Sequence, residues 1–304
     1  MVSKPYAKVI INPSAGAGST GKKWKSIREL LTHSGMLFDS AYTDSAGHAI
    51  ELAKEAALSE YKLVIAVGGD GTLNEVVNGL VEAAVPDVTL GIISTGCGSD
   101  FIRSLGIPRD YRQACLRLVN PRKVKVDIGH IEYQSHGKPT RRFFINAAGL
   151  GLDGEVVETV LKNPRFCRGT IPYVLGMLRA LAAFHNKDVS LRIDDNSEDL
   201  RICSVVIANG AYFGSGMKVT PEADVSDGLF EVMVVGDIGK LELLRTFPRI
   251  YRGTHVTHPK VRTERATQIR IESLDRVLIQ ADGELLGEIP ATFRILPSAL
   301  SVAV

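Results

Sequence analysis

The chain has 304 residues, enough for about two ordinary domains, because single hydrophobic cores usually stop growing near ~250–300 residues. Hydrophobic residues make up 45% of the chain and charged residues 23%, so it can bury a core and is not expected to be disordered. The 36 Lys and Arg residues barely exceed the 34 Asp and Glu residues, and this balance argues against a nucleic-acid partner bound through bulk electrostatics.

The N-terminal part of the sequence alternates between strands and helices. Short runs rich in Val and Ile predict buried strands, and the segments between them have helical spacing. The predicted strands are 8–11, 38–43, 63–67 and 90–93, and the predicted helices are 24–32, 46–58 and 73–83. This alternation with short connections indicates a parallel, doubly wound α/β domain.

After Pro121 the pattern becomes mainly strand-like, with period-two alternation and turn residues. The predicted strands are 123–133, 141–147, 189–193, 202–208, 230–235, 268–271 and 277–280, with helices near 155–161, 172–184 and 240–251. We therefore predict an α/β domain over residues 1–122 and a mainly antiparallel β domain over 123–290. A cleft between two closely packed domains is a common place for a ligand.

A glycine-rich segment follows the first predicted strand. Gly16, Gly18 and Gly21 match the G-x-G-x-x-G pattern of dinucleotide-binding units, and the same stretch nearly matches a P-loop. The P-loop interpretation fails because no Ser or Thr follows Lys22, and residues 12–14 separate the glycines from the strand. We keep only proximity to phosphate as a prediction, with a flexible loop that binds no ligand as the alternative.

The strongest motif is Gly68-Gly69-Asp70-Gly71-Thr72, where an apolar strand runs into the start of a helix. The glycines let backbone N–H groups approach phosphate oxygens closely, and the helix N-terminus adds the positive end of its dipole. A carboxylate at Asp70 suits Mg²⁺ or the orientation of an attacking hydroxyl. The alternative is a simple turn in which Thr72 caps the helix and Glu75 completes a capping box.

This motif resembles the signature of the superfamily that contains diacylglycerol kinases, sphingosine kinases and NAD kinases. Four further segments resemble the bacterial diacylglycerol and lipid kinase branch, and together they run along almost the whole chain. They are the Asn12-Pro13 segment with Gly16, residues 98–103, residues 209–228, and the Asp282-Gly283-Glu284 segment with the closing strand at 295–300. The resemblance implies an N-terminal three-layer α/β nucleotide domain and a C-terminal, mainly antiparallel β-sandwich domain, with residues 291–304 returning to the first.

The resemblance implies an ATP- and Mg²⁺-dependent transfer of the γ-phosphoryl group to a lipid hydroxyl, with diacylglycerol as the expected acceptor. Phosphoryl transfer depends mainly on positioning and charge neutralisation, which glycine loops, carboxylates and a metal ion provide. Two alternatives stay open: a kinase of a soluble substrate such as NAD, and an inactive module that binds lipid or nucleotide.

Nucleotide contacts are also implied by the resemblance. The residues concerned are Asn12, Gly16, Thr43, Gly68, Gly69, Asp70, Gly71, Thr72, Leu73, Asn74, Glu75, Thr95 and Cys97. Cys97 and Ser99 depart from the family pattern, which has a Thr and an Asn at these positions. A thiol is a weaker donor than a hydroxyl, so Thr95 is the substitute hydroxyl that we consider.

Catalytic roles are implied for four carboxylates. Asp70 and Asp100 match groups near the phosphates and their magnesium, and Glu284 matches the proposed general base of the family. Asp282 lies two residues away, and the choice between Asp282 and Glu284 as the proton acceptor stays open. Arg142, like its neighbour Arg141, is interpreted as an ordinary solvated charge unless it clusters at the rim of the cleft.

A structural Mg²⁺ site is implied for the segment before the strand at 230–235. Asp227 would supply its carboxylate, and Asp224 and Leu229 their backbone carbonyl oxygens. The alternative is a plain turn in which Asp227 caps its own backbone.

Cellular context follows from the cysteines and from the apolar segments. Four scattered Cys residues without CxxC spacing favour a reducing compartment, and the N-terminus has no secretory signal. The apolar stretch 169–185 contains Pro172 and Arg179 and is too short to span a bilayer. We expect a cytoplasmic protein that takes a membrane-derived lipid at the inner membrane surface; whether it forms a homodimer stays open.

Overall fold

The computed structural model describes residues 6–59, 61–96, 98–135, 137–163 and 170–304. The N-terminal part contains β1 (Tyr6–Ile11), β2 (Leu37–Tyr42), β3 (Leu63–Gly68), β4 (Thr89–Ser94), α1 (Ser19–His33), α2 (His48–Leu58), α3 (Asp70–Ala83), α4 (Asp100–Ser104) and α5 (Tyr111–Arg117). The strands lie in the order β4-β3-β1-β2, and each pairing is parallel. The predicted doubly wound α/β domain is therefore confirmed.

Helices cover both faces of this parallel sheet, because each helix has one apolar stripe. Trp24, Ile27 and Leu31 of α1 pack on one face. Small side chains of α2, such as Ala53, pack with α3 on the other. The sheet is thus buried on both sides, which leaves the loops at its strand ends as the accessible backbone.

The C-terminal part is a β-sandwich, as predicted. It contains β5 (Lys123–Ser135), β6 (Lys138–Phe144), β7 (Ala147–Gly151), α6 (Leu152–Lys162), α7 (Thr170–Ala183), β8 (Lys187–Ile193), β9 (Asn196–Ile202), β10 (Ser204–Ala208), β11 (Phe230–Val235), α8 (Lys240–Thr246), β12 (Val261–Ala266), β13 (Gln268–Glu272), β14 (Leu278–Ala281) and β15 (Glu284–Ala303). Inward-facing aromatic rings fill its core, with Phe144 and Phe230 stacked at 5.6 Å between ring centroids.

Strand β15 connects the two parts of the chain. It pairs with β14, β13 and β5 in antiparallel register, and its last residues pair in parallel with β4 through Ser301 and Val302. The end of the chain therefore lies beside the parallel sheet, and one hydrogen-bonded network runs through both parts.

Two local predictions differ from the structure. Helix α3 begins at Asp70 with Gly69 as its N-cap, so Thr72 lies inside the first turn and the predicted capping box with Glu75 is wrong. The predicted strand 141–147 is two strands, β6 and β7, because β6 pairs with β5 while β7 pairs with β10 and β14. The backbone at Ile145 and Asn146 leaves the ladder between them.

Among the described residues, no helix combines the length and the apolar character needed to cross a membrane.

Candidate active site

Three loops meet at the carboxyl ends of β1, β3 and β4, the edge at which open α/β sheets bind ligands. The Asn12 side chain donates a hydrogen bond to Thr72 Oγ1 over 3.0 Å, which ties the first loop to the second. Ser19 Oγ donates to the Thr95 carbonyl over 3.1 Å, which ties the first loop to the third. The structure thus brings together the segments predicted to contact nucleotide.

The start of α3 presents unsatisfied backbone donors to this edge. Its first intrahelical hydrogen bond runs from Leu73 N to the Gly69 carbonyl over 3.0 Å, so the N–H groups of the residues between them have no intrahelical acceptor. Together with the helix dipole, these donors form a site suited to an anionic group such as a phosphate.

Asp70 is the first residue of α3 and lies in the centre of the three loops. Its carboxylate accepts hydrogen bonds from Ser99 N (2.9 Å) and Asp100 N (3.3 Å). A side chain at Gly98 would lie 2.4 Å from Asp70 Oδ2, so only glycine permits this approach. Burial and, second, the charge of Asp100 raise the pKa of Asp70 to about 6.

Asp100 connects the loop after β4 to the sandwich. Its two oxygens accept hydrogen bonds from Ser215 N and Gly216 N, each over 2.7 Å. Arg103 approaches it at 3.7 Å. Burial nevertheless raises the pKa of Asp100, because these donors and Arg103 stabilise the charged carboxylate less than water would.

Asp282 lies where the two parts of the chain meet, and both of its oxygens are engaged. Oδ2 accepts from Asn74 Nδ2 (2.7 Å) and Ile145 N (2.9 Å), and Oδ1 accepts from Asn146 N and Ala147 N (3.0 Å each). Burial raises the pKa of Asp282, while these donors lower it. A carboxylate has about four lone-pair positions, and here all are used.

Glu284 is held from one side only. Its Oε2 accepts from Arg142 Nη2 over 2.7 Å, whereas none of the described donors bonds to Oε1, which lies on the side of Gly71. Burial raises the pKa of Glu284 despite the lowering effect of Arg142. Of the two alternatives for Arg142, the structure therefore shows the one at the cleft rim, since its guanidinium also donates to Asn74 Oδ1 over 3.1 Å.

Several other residues predicted to contact nucleotide have structural partners. Glu75 accepts hydrogen bonds from Gly47 N and Ala49 N at the start of α2. The Thr95 hydroxyl is buried and shares a hydrogen bond with Thr20 over 2.5 Å. Thr43 follows β2, where its N–H donates to the Ile11 carbonyl.

Three further members of that set are buried, face another carboxylate or lie outside the described residues. Leu73 is buried in the core behind the loops, and Asn74 faces Asp282. Cys97 lies outside the described residues. No contact of any of these residues with nucleotide is tested, so those roles stay predictions.

The predicted metal turn precedes β11. Asp227 Oδ1 accepts from Leu229 N (3.0 Å), and its Oδ2 pairs with Arg265 Nη2 (2.9 Å). Asp224 likewise accepts from the N–H of Ser226 two residues on. Asp227 thus makes the turn contact that the plain-turn alternative predicts and also pairs with a cation, while the magnesium site stays a prediction. The described residues contain no cluster of three or more His, Cys, Asp or Glu that could hold a metal ion.

Replacing Asp227 by alanine separates the two interpretations. We expect the loss of the Leu229 hydrogen bond to cost about 1 kcal/mol of unfolding free energy. We also expect excess Mg²⁺ to change the melting temperature of wild type and Asp227→Ala equally. Asp224→Ala is the matched control, because it removes a similar turn contact without the ion pair. Magnesium-dependent stabilisation of wild type and Asp224→Ala but not of Asp227→Ala would establish a metal site at Asp227.

Both parts of the chain match models of known protein families. Residues 6–131 match a model of the diacylglycerol kinase catalytic domain, and residues 146–304 match a model of the YegS C-terminal NAD kinase beta sandwich-like domain.

Individual relatives agree with these matches. The diacylglycerol kinase of Staphylococcus carnosus (strain TM300) is 32% identical over 97% of this chain and 94% of its own length. That of Bacillus subtilis (strain 168) is 30% identical over 94% of this chain and 92% of its own. A crystal structure of a Bacillus anthracis str. Sterne protein, assigned as a diacylglycerol kinase, superimposes with a TM-score of 0.83 at 25% identity, covering 100% of this chain and 96% of that one.

Proposed function

The chain belongs to the bacterial diacylglycerol and lipid kinase family and is a lipid kinase, and we propose that it transfers the γ-phosphoryl group of ATP to the hydroxyl of diacylglycerol with Mg²⁺. The family implies use of a nucleotide; ATP, magnesium and diacylglycerol are the specific parts of the proposal. Full-length relatives named diacylglycerol kinase support the choice of acceptor over NAD.

The observation that carries the proposal is that four carboxylates lie around the start of α3, the helix end that suits a phosphate. Asp70, Asp100, Asp282 and Glu284 all have raised pKa values, with burial as the largest cause in each. Arg142 lies beside Glu284 and Arg103 beside Asp100, but burial outweighs their effect on the two pKa values. One or two carboxylates together with substrate phosphates are the usual ligands of Mg²⁺, so Asp70 and Asp100 fit this ion. A magnesium ion held there would neutralise charge on the transferring phosphoryl group.

The loops supply the positioning that phosphoryl transfer requires. Backbone donors at the start of α3 suit the phosphates, and the loop that contains Asn12 and Gly16 closes over the same edge of the sheet. The hydrogen bonds from the sandwich to Asp100 and from Asn74 to Asp282 hold the two parts of the chain in a fixed relation.

Within this site, Glu284 is better placed than Asp282 to accept the hydroxyl proton. A general base needs a free lone pair within reach of the proton that it removes. The Asp282 oxygens are filled by four donors, whereas Glu284 keeps Oε1 free among the described contacts and is oriented by Arg142. We assign proton acceptance to Glu284 and positioning of the domains to Asp282.

The lipid would enter from the side of α6 and α7. Leu161, Leu175 and Leu178 on these helices are exposed, with 55%, 54% and 38% of their surfaces accessible. Exposed leucines next to a cleft suit contact with a membrane surface and an acyl chain. This side of the molecule therefore supports a peripheral membrane partner for the enzyme.

The direct test is an acceptor panel. Purified protein, labelled ATP and Mg²⁺ are incubated with diacylglycerol, monoacylglycerol, a sphingoid base, phosphatidylglycerol or NAD. We expect labelled phosphatidic acid as the main product. Labelled NAD without labelled lipid would overturn the proposal.

The departure at Ser99 gives a second test of the nucleotide site. Ser99 has a left-handed backbone (φ 54°), which Asn tolerates well, and its Oγ lies 2.7 Å from Ser94 Oγ. We expect Ser99→Asn to lower KM for ATP with little change in kcat, because an added amide restores a ground-state contact. Ser99→Ala is the control, since it removes the bond to Ser94 and adds no donor. An unchanged or raised KM in Ser99→Asn would show that the loop is built differently here.

A further inference from the structure

Leucines and basic side chains share one exposed face on helix α8 and on the 3₁₀ helix that follows it, Phe247–Arg252. We call this surface the α8 face. Its exposed residues are Lys240, Leu241, Leu244, Arg245, Pro248, Arg249, Tyr251 and Arg252. Leu241 is 72% exposed and Tyr251 53%. Large apolar side chains grouped on one exposed surface and bordered by charges are typical of a site that contacts a protein or a membrane.

The opposite side of the same segment is fixed to the sandwich. Leu243, Phe247 and Ile250 pack against one apolar cluster, and Phe213 packs against the same cluster. The backbone is held as well, because Lys218 N donates a hydrogen bond to the Ile250 carbonyl over 3.0 Å. Phe213 also lines the cavity of about 220 Å³ that contains the carboxylates of the candidate active site. The α8 face is therefore the outer side of a segment whose inner side supports one wall of that cavity.

The positive charge of the α8 face is not compensated within the described part of the protein. Residues 240–252 contain four Lys and Arg residues and one acid, Glu242, which pairs with Lys260 over 2.8 Å outside the face. Lys240 Nζ donates to the Ala182 carbonyl, which leaves its charge in place. The three arginines of the face form none of the ion pairs among the described residues. In a chain with a formal charge of only +2, this local excess favours an anionic partner.

We propose that the α8 face binds the surface of a bilayer that contains anionic lipids. Leu241, Leu244 and Tyr251 enter the headgroup region, and the arginines contact lipid phosphates. The choice of a bilayer rests on the proposed function, because an enzyme that phosphorylates diacylglycerol must reach a lipid surface. A bilayer offers apolar chains and anionic phosphates at neighbouring depths, and Leu, Tyr and Arg together suit that boundary. Phosphatidic acid, the proposed product, is itself anionic and would strengthen the contact.

The test measures binding of the full chain to vesicles by co-sedimentation, without nucleotide or acceptor. The vesicles contain phosphatidylcholine alone or an equimolar mixture with phosphatidylglycerol. We expect wild type to bind the anionic vesicles about 10-fold or more tightly than the neutral ones, with a smaller difference at high salt. We expect the double variant Arg245→Gln, Arg252→Gln to lose about 10-fold in affinity for the anionic vesicles. The matched control is Arg122→Gln, Arg192→Gln, which removes two exposed charges outside the face and should bind like wild type.

A second variant tests the apolar part of the face. We expect Leu241→Ser, Leu244→Ser to weaken binding to the anionic vesicles by about 10-fold, and this loss should persist at high salt because it concerns buried apolar area. Equal binding of wild type to both kinds of vesicle, or unchanged binding in the double arginine variant, would overturn the assignment. A solution dimer of wild type that the leucine variant dissociates would also overturn it, because a second copy would then cover the face.

The vesicle results and the acceptor panel test different statements. Phosphorylation of diacylglycerol by a chain that binds neutral and anionic vesicles alike would overturn the α8 face as a membrane site and leave the kinase function intact. Vesicle binding as expected, with loss in both variants and none in the control, would support the α8 face even if the acceptor panel rejected diacylglycerol.

Discussion

Asp70→Asn is expected to lower turnover by about 10²-fold or more, as for the loss of a group that stabilises charge in the transition state. Asparagine keeps the shape of the side chain and can still accept the hydrogen bond from Ser99 N, but it loses the negative charge. The measurement is kcat with saturating ATP and Mg²⁺. Activity close to that of wild type would remove Asp70 from the catalytic site.

The melting temperature of Asp70→Asn provides an independent check. The pKa of Asp70 determines the direction in which this temperature should change with pH. Burial and the charge of Asp100 raise the pKa of Asp70 from 3.8 to about 6. The folded state thus binds a proton on Asp70 more tightly than the unfolded state does. The contribution of this bound proton to the free energy of unfolding is lost as the pH rises through about 6. Without nucleotide and metal, we expect Asp70→Asn to melt no lower than wild type at about pH 7.5, with any advantage shrinking towards about pH 4.5.

The architecture could be predicted because both halves have strong periodicity. The apolar runs around β1, β3 and β4 are buried on both faces, which makes them nearly continuous in sequence. Strand β9 was missed for the opposite reason: its sequence, NSEDLRI, is mostly polar and exposed, and pairing with β8 rather than burial makes it a strand. Its register is set by the turn at Asp194, whose carboxylate accepts a hydrogen bond from Gln268 N. That contact joins distant parts of the sequence, so it exists only in the folded chain.

The site was predictable where a motif lies within one segment and not where distant segments meet. Asp70 and its glycines are contiguous, so their proximity is local. Arg142 and Asn74 meet Glu284 and Asp282 only because β6 and β15 both pack against α3, and a single sequence does not show that packing.

Glu284→Gln is expected to lower kcat by about 10²- to 10⁴-fold, the range attributed to a general base. Glutamine can still accept the Arg142 hydrogen bond through its carbonyl oxygen, so the melting temperature should change little. Because burial raises the pKa of Glu284, the acidic limb of the wild-type pH–rate profile should lie above the ordinary range of a glutamate and disappear in the variant.

Asp282→Asn is the matched comparison, two residues away, and should fail differently. An amide nitrogen in place of one oxygen would face either the N–H groups of residues 146 and 147 or the donors at Ile145 and Asn74, so two of the four hydrogen bonds are lost. Leaving such buried donors unpaired costs about 1–3 kcal/mol each, so we expect a clear fall in melting temperature. The residual activity should keep the acidic limb set by Glu284, since that base is still present. The reverse pattern, with the limb lost in Asp282→Asn and retained in Glu284→Gln, would transfer the role of base to Asp282.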